Sequence, residues 1–206
     1  MEVKRLILGG LKTNCYIAYT EDAKKAVIID PAAEADNIRR AITELSVLPE
    51  AVLLTHGHFD HMLAADEIRK EYHIPVGLLD REAELLEKPE LNCSAMYIRP
   101  YGISADETYT DGQQLPFLDG ALRVIATPGH TAGSACYYSE KDKLLFSGDT
   151  LFFNTVGRTD LPTSQPASID RSIREKLMVL PEDVLVLCGH GSETTIGDEK
   201  NANPFL

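Results

Sequence analysis

The stretch Thr55-His56-Gly57-His58-Phe59-Asp60-His61 decides how this chain is read. Four side chains able to bind a metal, His56, His58, Asp60 and His61, fall within six residues. Ala51-Val52-Leu53-Leu54 before it reads as a short buried strand, and Met62 to Tyr72 after it as a helix. The stretch is therefore a strand-to-helix loop at the carboxyl end of a strand, where open α/β folds place their ligands. Residues two apart in an extended segment project to one side, so His56 and His58 can reach the same ion. Asp60 and His61 follow as the backbone turns into the helix and point elsewhere. The loop can hold two ions, or one ion with a carboxylate behind it. Imidazole and carboxylate suit zinc, iron or manganese. Coincidence accounts for a lone His-x-His more readily than for this density directly after a buried strand.

Working outward, three further groups occupy the same kind of position. His130 follows the strand Leu122 to Ala126, Asp149 follows Leu144 to Phe146, and His190 follows Val184 to Leu187. Each is preceded by glycine, which lets the backbone turn tightly at a sheet rim. Singly, each has an ordinary explanation as a turn, cap or core residue. Jointly they carry weight, because five of the six histidines fall in strand-end loops. The sixth, His73, ends a helix and reads as structural.

The remaining elements read as Val3 to Leu8, Cys15 to Tyr19 and Ala26 to Ile29 as strands and Glu34 to Leu45 as an amphipathic helix. Pro75 to Leu79 reads as a strand and Arg81 to Glu87 as a short helix. Residues 88–112 show no period and read as a flap near the site, with Tyr97 a candidate substrate contact or a surface tack. In the second half, Ala135 to Tyr138 is a further strand and Ile169 to Leu180 a helix. Each half is a set of strands, a helix, then a strand ending in histidine. The expectation is a pseudo-duplicated β-sandwich with helices outside, in one domain spanning 1–206.

Net charge is −12, which argues against a nucleic-acid partner, because phosphate neutralisation needs a basic surface. No apolar run approaches the roughly 18 residues a membrane span requires. The residues 1–10 contain too short an apolar run for a signal sequence. Cys15, Cys93, Cys136 and Cys188 are scattered and read as buried free thiols in a reducing cytoplasm.

The set His56-x-His58-x-Asp60-His61, His130, Asp149 and His190 resembles the metallo-β-lactamase superfamily. Asn14-Cys15-Tyr16, Val27-Ile28-Ile29-Asp30-Pro31, Thr127-Pro128-Gly129-His130-Thr131-Ala132-Gly133-Ser134 and Ser147-Gly148-Asp149-Thr150 look like its glyoxalase II branch. Gly157-Arg158-Thr159-Asp160 and the ending Thr194-Thr195-Ile196-Gly197-Asp198-Glu199 look like the small bacterial members of that branch. The resemblance implies an α/β fold, a four-layer αβ/βα sandwich, with two divalent ions at one rim, zinc first and iron or manganese compatible. It implies His56, His58 and His130 on one ion, Asp60, His61 and His190 on the other, and Asp149 bridging. β-Lactamases typically place a cysteine at the Asp149 position and lack the His61 ligand, which argues against antibiotic hydrolysis. Larger glyoxalase II enzymes continue into a helical region that supplies glutathione contacts, whereas this sequence ends at Leu206, so the thiol partner stays open.

The implied reaction is hydrolysis of a small-molecule thioester by an acidified water, with Asp60 as the catalytic group that ligates and orients it. Arg158 would bind a substrate carboxylate, or pair with Asp160 and brace its loop. Ser147, Thr131 and Cys188 lack a Gly-x-Ser-x-Gly elbow and read as supporting residues rather than nucleophiles. Two other reactions fit relatives of this pattern. One is persulfide oxidation on a single iron held by His56, His58 and His130. The other is phosphodiester hydrolysis, which the negative charge disfavours.

Overall fold

The computed structural model describes residues 1–22 and 24–206. The first half forms one sheet of six strands in sequence order. These are β1 (Glu2–Leu8), β2 (Thr13–Tyr19), β3 (Lys25–Ile29), β4 (Leu48–Leu53), β5 (Val76–Leu79) and β6 (Glu107–Tyr109). The first three pair antiparallel and the rest parallel, the change falling where helix α1 (Ala35–Leu45) supplies the crossover. The second half provides β7 (Gln114–Leu115), β8 (Leu122–Ala126), β9 (Ala135–Ser139) and β10 (Leu144–Gly148). A small hairpin, β11 (Leu151–Phe152) and β12 (Thr155–Val156), precedes β13 (Leu185–Cys188) and β14 (Thr194–Thr195). The second sheet runs β14-β13-β10-β9-β8-β7, antiparallel except for the parallel β10–β13 pair.

Strand alternation sorts the apolar side chains into three cores. Val27 and Ile29 of β3 meet Val124, Tyr137 and Phe146 between the sheets. Ile28 faces the other way, onto Ile38 and Ile42 of α1 and Ile68 of the helix that follows the histidine loop. Cys136 and Tyr138 of β9 face Ile169, Ile173 and Leu177 on the opposite exterior. Three cores between four layers give helix, sheet, sheet, helix, the αβ/βα sandwich expected from the sequence.

Several boundaries differ from the sequence reading. The helix expected over 62–72 is two, α2 (Phe59–Met62) and α3 (Ala65–Tyr72). The interruption has a cause: the Ala64 amide donates to the Pro31 carbonyl at 3.0 Å instead of continuing the helical ladder. The strand expected over 51–54 starts at Leu48. After β5 come a 3₁₀ turn (Asp80–Glu82) and α4 (Ala83–Glu87). The aperiodic segment 88–112 contains α5 (Ser94–Tyr97) and the edge strand β6, and Asn92 anchors it by donating to the carbonyls of Leu86 and Tyr101. The helix expected over 169–180 begins earlier, as α6 (Pro166–Ser172), with Pro166 in its first turn, where a missing amide costs nothing. It then widens into a π turn, Ile173–Leu177, and the Met178 amide bonds the Ile173 carbonyl. The hairpin β11–β12, strands β7 and β14, and helix α7 (Ile196–Ala202) were not legible as periodic segments. His73 caps α3 in a left-handed conformation. All four cysteines are free and buried.

Candidate metal centre

Four strands end at the same rim, and the residues just beyond each end converge. The loop after β4 carries His56 and His58, that after β8 carries His130, the end of β10 carries Asp149, and that after β13 carries His190. Asp60 and His61 enter from the first turn of α2. His56, His58 and His130 bring donor atoms within 4.8 Å of one another, as do Asp60, His61 and His190, and also His56, His61 and Asp149. All seven residues singled out in the sequence are therefore brought together. Asp149 lies between the triads: its Oδ1 is 3.4 Å from His61 Nε2, and its Oδ2 is 3.5 Å from both His130 Nε2 and His190 Nε2. Asp60 Oδ2 lies 3.3 Å from His190 Nε2 and 3.6 Å from His61 Nε2.

The surrounding hydrogen bonds set which ring nitrogen faces inward. Asp30, buried at the end of β3, accepts the Thr55 amide, the Thr55 hydroxyl and His61 Nδ1–H, at 2.8, 2.7 and 2.9 Å. Because the Thr55 hydroxyl donates to Asp30, it can only accept from His56 Nδ1 at 3.1 Å. His130 Nδ1–H donates to the Arg158 carbonyl at 2.8 Å. His56, His61 and His130 thus each spend the outer nitrogen on a fixed partner, the arrangement that orients metal-binding histidines. The inner Nε2 atoms of His56 and His61 and Oδ1 of Asp149 are buried, and among the described residues none has a hydrogen-bond partner. Buried polar atoms are ordinarily satisfied, so this cluster of inward lone pairs fits a cation. His58 Nδ1 and His130 Nε2 stand 3.0 Å apart. Two nitrogens on a tetrahedral ion with bonds of about 2.0–2.1 Å stand roughly 3.3 Å apart, so little movement is needed.

Electrostatics divide the triads. Burial, with His61 and His58 nearby, pushes His56 well below its ordinary value, and burial with His130 pushes His58 down to about 3. Burial opposes charge on His61, yet the carboxylates of Asp60, Asp149 and Asp30 together lift it well above. His190 is lifted, against burial, by its hydrogen bond to Asp60 and by the Asp149 charge. Burial raises the Asp60 carboxyl, but His61, His190 and the Thr13 hydroxyl outweigh it and bring it down to about 2. Burial pushes the Cys188 thiol up to about 12, so it is no nucleophile at neutral pH.

Residues that sequence reasoning left without a role complete the frame. Thr13 donates its hydroxyl to Asp60 Oδ2 at 2.8 Å, fixing that carboxylate. Asn14 donates to the Cys188 and Gly191 carbonyls, and Tyr16 also donates to Cys188. One edge of β2 thereby clamps the loop bearing His190 across the gap between sheets. A β-carbon on Gly189 would run into Asp149 and His61, so this close approach requires glycine. Nothing in the local spacing of Thr13 or Asn14 announces these contacts, because they span long sequence distances.

The cluster opens on a cavity of about 560 Å³ lined by Leu11, Phe59, Tyr97, Phe152, Arg158 and Leu161. Tyr97 stacks on Phe59 with centroids 5.8 Å apart, so the aperiodic segment does reach the site. Arg158 pairs with Asp160 at 2.6 and 2.7 Å and also lines the cavity. A second cavity of about 340 Å³ shares Leu11, Phe59, Asp60 and Tyr97 with the first and is otherwise walled by apolar groups such as Leu8, Ala33, Leu63 and Ile98.

Comparison with known proteins agrees with this geometry. A probable metallo-hydrolase, YqgX of Bacillus subtilis, is 39% identical over the whole of this chain and 98% of its own length. A hydroxyacylglutathione hydrolase, GloC of Haemophilus influenzae, is 35% identical over all of this chain and 98% of its own. Among solved structures, the BLEG-1 B3 metallo-beta-lactamase is 41% identical, with TM-score 0.95, covering 100% of this chain and 99% of that one. TTHA1623 in a di-iron-bound form is 32% identical, with TM-score 0.87, covering 98% and 100%. The family profile matches residues 8–190, which include every one of the seven converging donors, and the chain belongs to the metallo-beta-lactamase superfamily.

Proposed function

We propose that the protein is a metal-dependent hydrolase of small thioesters, with His56, His58 and His130 holding one divalent ion, Asp60, His61 and His190 a second, and Asp149 shared. The observation that carries the two-ion reading is the position of the Asp149 carboxylate, one oxygen toward His61 and the other between His130 and His190. When bound, paired divalent ions supply an acidified water and a Lewis acid for the carbonyl. The chain's own residues do the rest. Asp60, held by Thr13, faces the cavity with a carboxylate that stays ionised at neutral pH and can accept a hydrogen bond from the attacking water, orienting it. The flanking apolar walls, Phe59 stacked with Tyr97 above all, seat the uncharged part of the substrate. Arg158 offers its guanidinium to a substrate carboxylate in exchange for part of its pairing with Asp160. The similarity to GloC supports a thioester substrate.

The test is hydrolysis of S-D-lactoylglutathione by metal-loaded protein, with Asp149→Ala as control. Turnover that the substitution abolishes is the expected result. Absence of turnover in protein carrying two ions rejects glutathione thioesters. A second reading rests on one finding, the 41% identity to the BLEG-1 B3 metallo-beta-lactamase. The absence of a cysteine at position 149, read in the sequence as arguing against β-lactam hydrolysis, does not outweigh that likeness, so nitrocefin belongs in the same assay.

A further inference from the structure

Two buried carboxylates stand behind the donor cluster without facing the cavity. Asp30 supports His61 and, through Thr55, His56. The other is Glu82, at the end of the 3₁₀ turn after β5, only 1% exposed. Its Oε1 accepts the Gly57 amide at 2.9 Å, and its Oε2 accepts the Gly133 amide at 2.9 Å. Gly57 lies between His56 and His58, and Gly133 lies three residues beyond His130. These loops leave different sheets, one from β4 and the other from β8. Apart from the approach of His58 to His130 itself, no other side chain among the described residues hydrogen-bonds to both loops. The fit is close: a β-carbon on Gly133 would lie 2.6 Å from Glu82 Oε2.

We infer that Glu82 is a positioning residue for the ion held by His56, His58 and His130: by pinning both loops with one carboxylate it sets the His58–His130 separation. The assignment rests on the metal centre above and not on the choice of substrate. Two amides pointing at one side chain need two acceptors, and a carboxylate is the side chain that offers both. Glutamine has the same size but turns a donor toward one of the amides. Among the described residues Glu82 hydrogen-bonds to nothing in α2, which carries Asp60 and His61, or in the loop bearing His190, so its direct hold falls on one triad. Burying a carboxyl is costly even when two amides donate to it, and apolar packing at that place would not need one.

The experiment compares wild type and Glu82→Gln for their stepwise zinc affinities by chelator competition, with cobalt absorption as a second reading of each site. The expected result is a loss of about 10- to 100-fold at the first triad, the range seen when support behind metal ligands is removed, with less than about threefold change at the second. Unchanged affinities in the folded variant, even with a lowered apoprotein melting temperature, overturn the inference, because a role in stability alone leaves the sites equal. A wild-type chain that binds no ion at the first triad overturns the metal reading, and this inference with it. If Glu82→Gln does not fold, amide exchange in the wild type decides. Slow exchange at both Gly57 and Gly133, with or without zinc, supports the brace, and free exchange at either overturns it.

Discussion

At the scale of single residues, four of the seven donors are held by a fixed partner behind them. His61 leans on Asp30, His56 on Thr55, His130 on the Arg158 carbonyl and Asp60 on Thr13. Protons and metal ions compete for the same nitrogens, so the pKa directions predict how binding responds to pH. His56 and His58 are depressed, the latter to about 3, and hold no proton that an ion must displace near neutrality. His61 and His190 are raised, so each holds its proton until pH climbs through its elevated value, and an ion must expel it. Acidification from pH 8 to about 6 is therefore expected to strip the Asp60–His61–His190 site first, with up to about two protons taken up per ion there. Zinc titrations across that range read this directly, and equal pH slopes at the two sites contradict it. Arg158→Ala is expected to raise KM for an anionic thioester by about tenfold or more with kcat changed far less, as for loss of a charge-assisted contact present throughout the reaction. Steady-state kinetics against a neutral thioester provide the comparison. The donors themselves were legible in the sequence because their spacing is local or follows a buried strand. Thr13, Asn14, Tyr16 and Glu82 were not, because their partners lie 47, 174, 172 and 25 to 51 residues away.

At the scale of elements, strands position the chemistry and short irregular pieces adjust it. Phe146 on β10 is fully buried against Tyr16, edge to face at 5.6 Å, three residues before Asp149. Phe146→Ala is expected to cost about 3–5 kcal/mol of stability, from lost burial and the cavity left behind. Denaturant unfolding measures this, and a loss below about 1 kcal/mol would show that the strand is not anchored there. Asn14→Ala removes the donor to the Cys188 and Gly191 carbonyls and is expected to loosen the His190 loop. Zinc affinity should fall at the second triad and hold at the first. The break at Leu63–Ala64 was not legible, since its cause is the distant Pro31 carbonyl taking the Ala64 amide. The π turn after Ser172 and the two-residue strands β7, β11, β12 and β14 were equally silent, being too short to show a period.

At the scale of the whole molecule, the two halves pack sheet face to sheet face, and the donors at the shared rim come from both. Loops after β4 and in α2 belong to the first sheet, and those after β8, β10 and β13 to the second. Binding two ions therefore ties the halves together, and metal removal is expected to lower the melting temperature by well over 10 °C, as binding energy linked to folding is lost. Scanning calorimetry with and without chelator checks it. The layered fold was legible because each half alternates strands, helix and a strand ending in histidine, and the long-range pairing of the halves follows from burying the faces between them. Among the described residues no helix is long and apolar enough to cross a membrane. If seven side chains from two sheets hold two divalent ions, the metal content per chain shows it. Elemental analysis of protein saturated with zinc and freed of excess should give about two ions per chain, falling to about one or fewer in Asp149→Ala. One ion per chain, unaffected by substitution of Asp60, His61 or His190, would mean that the second triad holds no metal.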